Sequence, residues 1–409
     1  MIDLRIGGGE KVSPTPDVEL EKISENIDHY APIFLNNRVE IFRIMHGQNQ
    51  PIRHSTNYNG YWFVTGYSAA VEIQRRAEDF SNKQKVVPMR PIGELIPSGL
   101  NPPEHRPVKI ALAKLFMPKA VSALKAKLAE VAQSLFDELL PRGTFDVVQD
   151  LMFPLMSEFT MVHMLGLDPA KAAEYAGTIH AMSRPVQDAE SAAVVKEGLA
   201  KIEAEFRDIM VDQRYDPACM LAKIAALDLG GRRFTPDEMV KVAFNFTIGG
   251  FGTTAIFTGS AFVFLARNPA LRQQIVDDPG IIPTAFDELL RLMTPTQTFA
   301  RRVERDTEVC GVQMKEGDQL LMGYGAANFD PRQFPNPESV NLRRAPNRHM
   351  SFGTGPHRCL GEPIARAVVG EVLAQMVARI PDYSLVEEGV VAQSHSSSMF
   401  GYSNVPIRF

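Results

Sequence analysis

Apolar positions recur at spacings of three and four over most of the chain and alternate only in short stretches, so helices should dominate. Two short helical pieces, over 17–26 and 35–45, interrupt an otherwise irregular opening of 55 residues. The aromatic and β-branched run 61–65 predicts a strand. Gly66 then leads into an amphipathic helix over 68–77, and residues 80–103 read as a loop punctuated by Pro and Gly. From residue 104 to about 224 the helical period holds, as in 120–140, with Pro154, Pro169, Pro185 and Pro217 expected to divide the run. Thr235-Pro236-Asp237-Glu238 is a capping box with Pro at the first helical position. The helix it opens can run to Arg267, about 50 Å at 1.5 Å per residue. Its apolar residues face all round, which predicts a buried element through the middle of the protein. A further helix is expected over 283–293. Beyond Arg301 come short strands (307–312, 319–322), a meander rich in Pro, Asn and Arg over 328–350, a helix from just after Cys359 to about Arg379, and strands in the tail 402–409. No repeat or flexible linker is visible, so a single mainly α domain with a smaller β region is expected over residues 1–409.

Composition narrows the class. Of 409 residues, 45% are hydrophobic and 22% charged, the profile of a soluble globular chain. The formal net charge of -5 argues against a dedicated nucleic-acid binder. Cys219, Cys310 and Cys359 are too few and too scattered for a disulfide framework, which points to a reducing compartment. The N-terminus lacks the apolar core of a signal peptide. No stretch approaches the ~18 uninterrupted apolar residues of a membrane span. The expectation is a cytoplasmic protein without a membrane anchor.

The stretch richest in chemistry is Phe352-Gly353-Thr354-Gly355-Pro356-His357-Arg358-Cys359-Leu360-Gly361. A cysteine at the mouth of a helix, after a loop with two glycines, sits where free N–H groups favour an anion. Its thiol should ionise easily, giving a metal ligand or a nucleophile. Gly353, Gly355 and Gly361 remove side chains where something flat could approach the backbone. A buried structural cysteine in a tight turn is the competing reading.

This segment resembles the haem-binding signature of the cytochrome P450 family and fills every position of it. Three further motifs agree, in the family's order. Glu288-Leu289-Leu290-Arg291 is similar to its Glu-x-x-Arg, and Arg344 (or the neighbouring Arg343) stands where the family completes an ion-paired triad. Pro102-Pro103-Glu104-His105 matches the start of the helix that approaches a haem propionate. The resemblance covers the chain from about Tyr61 to Phe409. It implies the all-α haem-thiolate fold, haem b as cofactor and monooxygenase activity. By position it implies Cys359 as the proximal iron ligand and Phe352 beside it. His105, Lys109, Arg301 and His357 become propionate partners, and Glu288, Arg291 and Arg344 a structural triad. Taken alone, the Glu288–Arg291 spacing fits a solvated pair equally well.

The long helix reads Ile248-Gly249-Gly250-Phe251-Gly252-Thr253-Thr254, and each mid-helix glycine costs roughly 1 kcal/mol against alanine. Either close helix packing or a groove for dioxygen and water accounts for them. Thr253 matches the family's oxygen-side threonine; alternatively its hydroxyl bonds back to its own helix. Two acids usual in the family are absent: Gly252 precedes the threonine, and Val368 stands nine residues after the cysteine. Proton delivery would then run through Thr253, Thr254, water or Asn245. Family position also implies a mostly apolar pocket of Phe244, Ile248, Gly249, Phe251, Thr296, Gln297, Thr298, the 86–97 loop and 397–400, including Met399. No cation is evident there for a carboxylate. Local wording around 96–104 and 311–319 resembles the camphor-hydroxylating branch, although Gly93 replaces that branch's substrate-binding tyrosine. The expectation is a compact cyclic monoterpenoid, hydroxylated by a monomeric enzyme drawing electrons from an iron–sulfur ferredoxin and a nicotinamide-dependent reductase. Lys109, Lys114, Lys119 and Arg358 could form the basic patch for that ferredoxin. A peroxide-using or nitric-oxide-reducing haem-thiolate enzyme, and a haem sensor without turnover, are the alternatives.

Overall fold

A computed structural model describes residues 17–88, 94–172, 174–175, 189–392 and 398–409. Pro185, residues 89–93 of the expected pocket loop and Ser397 lie outside these described residues. The chain forms two compact units. One takes the described residues of Met1–Gly93, Ser260–Cys359 and Glu387–Tyr402, the other those of Glu94–Gly259, Leu360–Val386 and Ser403–Phe409.

The first unit is built on a five-stranded sheet, in the order Ile52–Ser55, Tyr61–Val64, Gln319–Gly323, Thr298–Val303, Phe80–Ser81. Tyr61–Val64 runs parallel to Gln319–Gly323 and all other neighbours are antiparallel. Val64, Phe80, Val303, Leu320 and Met322 bury one face of the sheet with Ile73 of the helix Tyr67–Arg75. Ile52–Ser55 falls in the opening stretch expected to be irregular; Ile52, Arg53 and Ser55 are all buried and only His54 is exposed, so the sequence offers no apolar–polar alternation to read. Thr307–Val309 and Val312–Met314 form a hairpin closed by Cys310 and Gly311, both at positive φ (52° and 79°). That is the backbone a two-residue hairpin turn needs. Cys310 is therefore an exposed turn residue.

The second unit is helical. Pro118–Leu139 packs against Glu362–Arg379, and a three-stranded sheet places Pro406–Arg408 between Thr144–Asp146 and Ser384–Leu385. Pro154 does not break its run. Residues 147–164 stay helical through it, with wide π-type turns over Val147–Met152 and Glu158–Met164 flanking Phe153–Ser157. A wider winding relieves the hydrogen-bond mismatch that a mid-run proline creates.

The expected long helix spans Pro236–Arg267, 32 residues, and continues from the second unit into the first. Its capping box closes in both directions: Glu238 N–H donates to Thr235 Oγ1 (3.2 Å) and Thr235 N–H to Glu238 Oε2 (2.9 Å). Length and apolarity would let it cross a membrane, but 78% of its most apolar stretch is buried, as befits a core helix. The fold is thus helix-rich with a smaller β region, as its sequence predicts.

His29 locks the start of the first unit. It is fully buried, with Nδ1 2.9 Å from Tyr61 Oη and Nε2 2.8 Å from the Val87 carbonyl. Burial, only partly opposed by the Val87 bond and by Asp28, lowers its pKa to about 4. Between that value and the unfolded ~6.5, the unfolded chain binds a proton that the folded one refuses, so stability rises with pH. The contribution is complete above the unfolded value and should fall by about 3 kcal/mol as pH drops through the window. His29→Gln keeps a donor for Val87 and should flatten this slope in urea-unfolding midpoints measured across it.

Candidate functional site

The first unit holds the cysteine loop. Gly353 and Gly355 both take φ of +65°, where a side chain is strained, and space forbids one too. A Cβ on Gly355 would lie 2.5 Å from the Gln74 carbonyl oxygen, and one on Gly353 2.9 Å from Gln74 Oε1. Gln74 Oε1 also accepts from Thr354 N–H (2.9 Å), so a single buried glutamine moulds the loop. The Cys359 N–H closes it on the Phe352 carbonyl (2.9 Å). Phe352 stacks on Phe286 at 6.3 Å between ring centres. Cys359 ends this rigid loop exposed, outside any disulfide, which sets aside the buried structural cysteine.

Behind the loop stands the charged network. Arg291 Nε and Nη2 donate to the two Glu288 oxygens at 2.9 and 3.0 Å. Arg344 Nε (2.9 Å), Asn347 Nδ2 (3.0 Å) and the Asn341 N–H (3.0 Å) also donate to this carboxylate. Arg291 spends its remaining donors on the carbonyls of Asn328, Pro337 and Ser339. Glu288 and Arg291 have no accessible surface, so the solvated-pair reading fails. Arg343, the other candidate, pairs with Asp278 instead. Burial pushes the Glu288 carboxyl up, but the arginines and the Asn341 N–H outweigh it and hold its pKa below the ordinary value.

Arg301 is buried, and its only hydrogen bond among the described residues is to the Ala300 carbonyl (2.8 Å). Its guanidinium carbon and the Lys85 ammonium lie 5.5 and 5.4 Å from the Phe299 ring centre. Burial, and secondarily Arg301, lowers the Lys85 pKa to about 7. A buried guanidinium with no acid paired to it is an incomplete electrostatic arrangement that an anion would complete. A cofactor with acidic side arms fits this donor set. His357 accepts at Nδ1 from Asn82 Nδ2 (2.9 Å) in the same unit.

Thr296 bridges Met399, Gln297 N–H donates to the Ser398 carbonyl (2.9 Å), and Phe400 N–H to the Pro295 carbonyl (2.8 Å). Thr296 and Met399 are partly accessible, whereas Thr298 is buried. The Gln297 amide turns away, donating to the Thr294 carbonyl (2.7 Å) and lying over Gly325.

In the second unit, one face of the long helix is accessible: Phe244, Asn245, Ile248, Gly249 and Thr253. No protein atom lies within 4 Å of a Cβ built on Gly249, so helix packing does not explain that glycine. Thr253 Oγ1 donates to the Gly249 carbonyl at 2.9 Å. Gly252 and Thr254 are buried. Phe251 is a correction. It has no accessible surface and stacks on Phe153 at 5.3 Å, so it belongs to the core rather than to a pocket wall. His105, buried, and Lys109 stand one turn apart on the helix His105–Ala113. Gly361 caps Glu362–Arg379, its carbonyl accepting from the Ile364 and Ala365 N–H groups, and Val368 is buried in that helix. Gln74, Asn82 and Lys85 went unread in the sequence, because each acts through a partner more than 200 residues away and leaves no local spacing signal.

Residues 281–381 match the family model for cytochrome P450. The steroid C26-monooxygenase of Mycobacterium tuberculosis (strain CDC 1551 / Oshkosh) is 27% identical over 367 residues, 88% of this chain and 97% of that protein. The biotin biosynthesis cytochrome P450 of Bacillus subtilis (strain 168) is 25% identical over 80% of this chain and 85% of its own. Among solved structures, the himastatin-biosynthesis hydroxylase HmtN superposes with a TM-score of 0.77 at 26% identity, over 88% of this chain and 93% of that one.

The triad yields a stability prediction. Glu288→Gln leaves the buried Arg291 and the partly buried Arg344 without their carboxylate and should destabilise by about 3–5 kcal/mol. Equilibrium urea unfolding at neutral pH measures it. The wild-type contribution is present above the unfolded carboxylate pKa and is lost as pH falls through the depressed folded one.

Proposed function

The chain belongs to the cytochrome P450 family, and on that premise we propose that it hydroxylates a small apolar substrate, a cyclic monoterpenoid, with electrons from a ferredoxin and its reductase. Monooxygenase activity and haem b with a cysteine thiolate ligand come with the family. The rest is our reading: a monomeric cytoplasmic enzyme, without membrane or nucleic-acid partners, related to the camphor-hydroxylating branch and working as one functional domain. The observation that carries it is the exposed Cys359 on a loop fixed by Gln74 and Gly355.

When bound, haem b supplies dioxygen activation, helped by a thiolate that pushes electron density to the iron. Cys359 is the residue to hold that iron, with Phe352, Gly353 and Gly361 around it. Arg301, His357, His105 and Lys109 are the groups to hold the propionates. Lysine keeps charge at position 109 but lacks the guanidinium fork. Phe244, Ile248 and Gly249 are accessible on the long helix in the second unit, and Thr296 and Met399 in the first; family position assigns each of them to an apolar ligand. Gln297 and Thr298 contribute backbone shape rather than side chains.

Thr253 holds its proton on the Gly249 carbonyl. To pass it on, the hydroxyl must turn off that carbonyl, giving up a bond worth about 1 kcal/mol, which a new partner restores. Gly252 and Thr254 then shape the turn around it. No carboxylate stands at Gly252 or Val368, and this favours a second reading, a peroxide-using haem-thiolate enzyme. Product formed with peroxide alone, and none with ferredoxin and reductase, would select it.

Two experiments test these assignments. The reduced protein with carbon monoxide should show a strongly red-shifted Soret band that Cys359→Ala abolishes; a band indifferent to the mutation removes Cys359 from the iron. Thr253→Ala should lower product formed per NADH consumed by roughly 3–10-fold, with substrate affinity nearly unchanged. Unaltered coupling would assign the proton supply elsewhere.

A further inference from the structure

Arg38 is a further guanidinium in the first unit with no carboxylate paired to it among the described residues; Arg53, also without one, spends its donors on the Ser24 and Met45 carbonyls. It opens the helix Arg38–Gly47, and among the described residues the Arg38 side chain makes one hydrogen bond, from Nη1 to the Leu35 carbonyl at 3.0 Å. Its guanidinium carbon lies 3.1 Å from the centre of the Phe400 ring. Burial lowers its pKa to about 9, an effect that Tyr402 only partly opposes. The residue nonetheless keeps some accessible surface.

Other arginines of the first unit sharpen the contrast. Arg267 pairs with Glu387, Arg332 with Asp330, Arg343 with Asp278 and Arg344 with Glu288. Among the described residues no carboxylate pairs with Arg38. Stacking on Phe400 covers the flat face of the guanidinium and leaves its in-plane N–H edge, which is the edge that grips a carboxylate with two parallel bonds. A single uncompensated cation suits a monoanion better than a dianionic phosphate. Phe400 is also bonded to Pro295, beside the Thr296–Met399 bridge. Arg38 therefore sits on the turn that carries two partly accessible pocket candidates.

We propose that Arg38 recognises a carboxylate on the substrate, whose apolar body lies along Thr296 and Met399. The proposal rests on reading 295–296 and 398–400 as pocket wall. It replaces the expectation that no cation awaits a carboxylate.

The test is optical titration of the haem-loaded protein at neutral pH with two matched pairs, perillic acid against perillyl alcohol and dodecanoic acid against dodecan-1-ol. In wild type at least one acid should bind roughly tenfold more tightly than its alcohol, the scale of one charge-assisted pair. Arg38→Met should erase that preference while leaving the alcohol within about threefold. Should Arg38→Met also lose the alcohol, Arg38→Lys decides, since an ammonium keeps charge but not the fork and should weaken only the acid. An acid-to-alcohol ratio that is unchanged by mutation, or no preference for either acid in wild type, overturns the proposal. The carbon monoxide spectrum of the same samples separates the two levels. A red-shifted band with an unaltered ratio sinks only the carboxylate inference, and a missing band sinks the haem-thiolate reading beneath it.

Discussion

A carboxylate with no accessible surface, gripped by two arginines, anchors the first unit. Glu288 and Arg291 come from the helix Ile282–Met293, and everything they bind lies 37 to 59 residues further on. The meander over 328–350 has almost no regular structure, so turns satisfy only some of its backbone groups, as in Phe334 N–H to Asp330 and Arg344 N–H to Asn341. Arg291 and Glu288 supply partners for the carbonyls of Asn328, Pro337 and Ser339 and for the Asn341 N–H. An irregular segment becomes rigid because one ion pair answers its orphan groups. Immediately after it comes the cysteine loop, which inherits a fixed starting point at Met350. There the N–H donates to Asn328 Oδ1 (2.6 Å), while Asn328 Nδ2 donates to Thr294 and Ser351.

The same unit carries charges it does not neutralise. Glu288 answers two arginines, but Arg301 and Arg38 are desolvated without an acid paired to either among the described residues. Such groups weaken a folded protein unless something anionic binds. Their placement differs. Arg301 and Lys85 flank Phe299 on a central strand, whereas Arg38 lies over Phe400 at the edge of the candidate pocket wall. On the proposed reading, two separate anions, one belonging to the cofactor and one to the ligand, account for both positions.

Helices with periodic apolar faces were legible in the sequence, as was the capping box at Thr235 and Glu238, because local spacing encodes both. Cys359, Glu288 and Arg291 were legible as motifs. What escaped depends on distant partners. Ile52–Ser55 is a strand because Tyr61–Val64 pairs with it, and its four residues show too little alternation to declare themselves. Gln74 looks like one more polar position on an amphipathic helix until Gly355 is seen against its carbonyl. Phe251 read as pocket lining from its place beside the glycines, but Phe153 stacks on it from 98 residues earlier. Pro154 reads as a break because its missing N–H is a local fact, while the π-type winding that absorbs it is not.

The threonines of the long helix show how little a single hydrogen bond decides. Thr247, Thr253 and Thr258 each donate to the carbonyl four residues back, at 2.9, 2.9 and 2.8 Å. By that bond alone all three are ordinary helical threonines. Accessibility separates them: Thr247 and Thr258 are fully buried, and exchanging their carbonyl for another partner would require unpacking the helix. Thr253 is partly accessible, and its acceptor belongs to Gly249, where no side chain or neighbouring atom fills the space. On the proposed reading, the glycine that weakens the helix by roughly 1 kcal/mol also leaves the threonine room to turn, and the two positions together hold and release a proton.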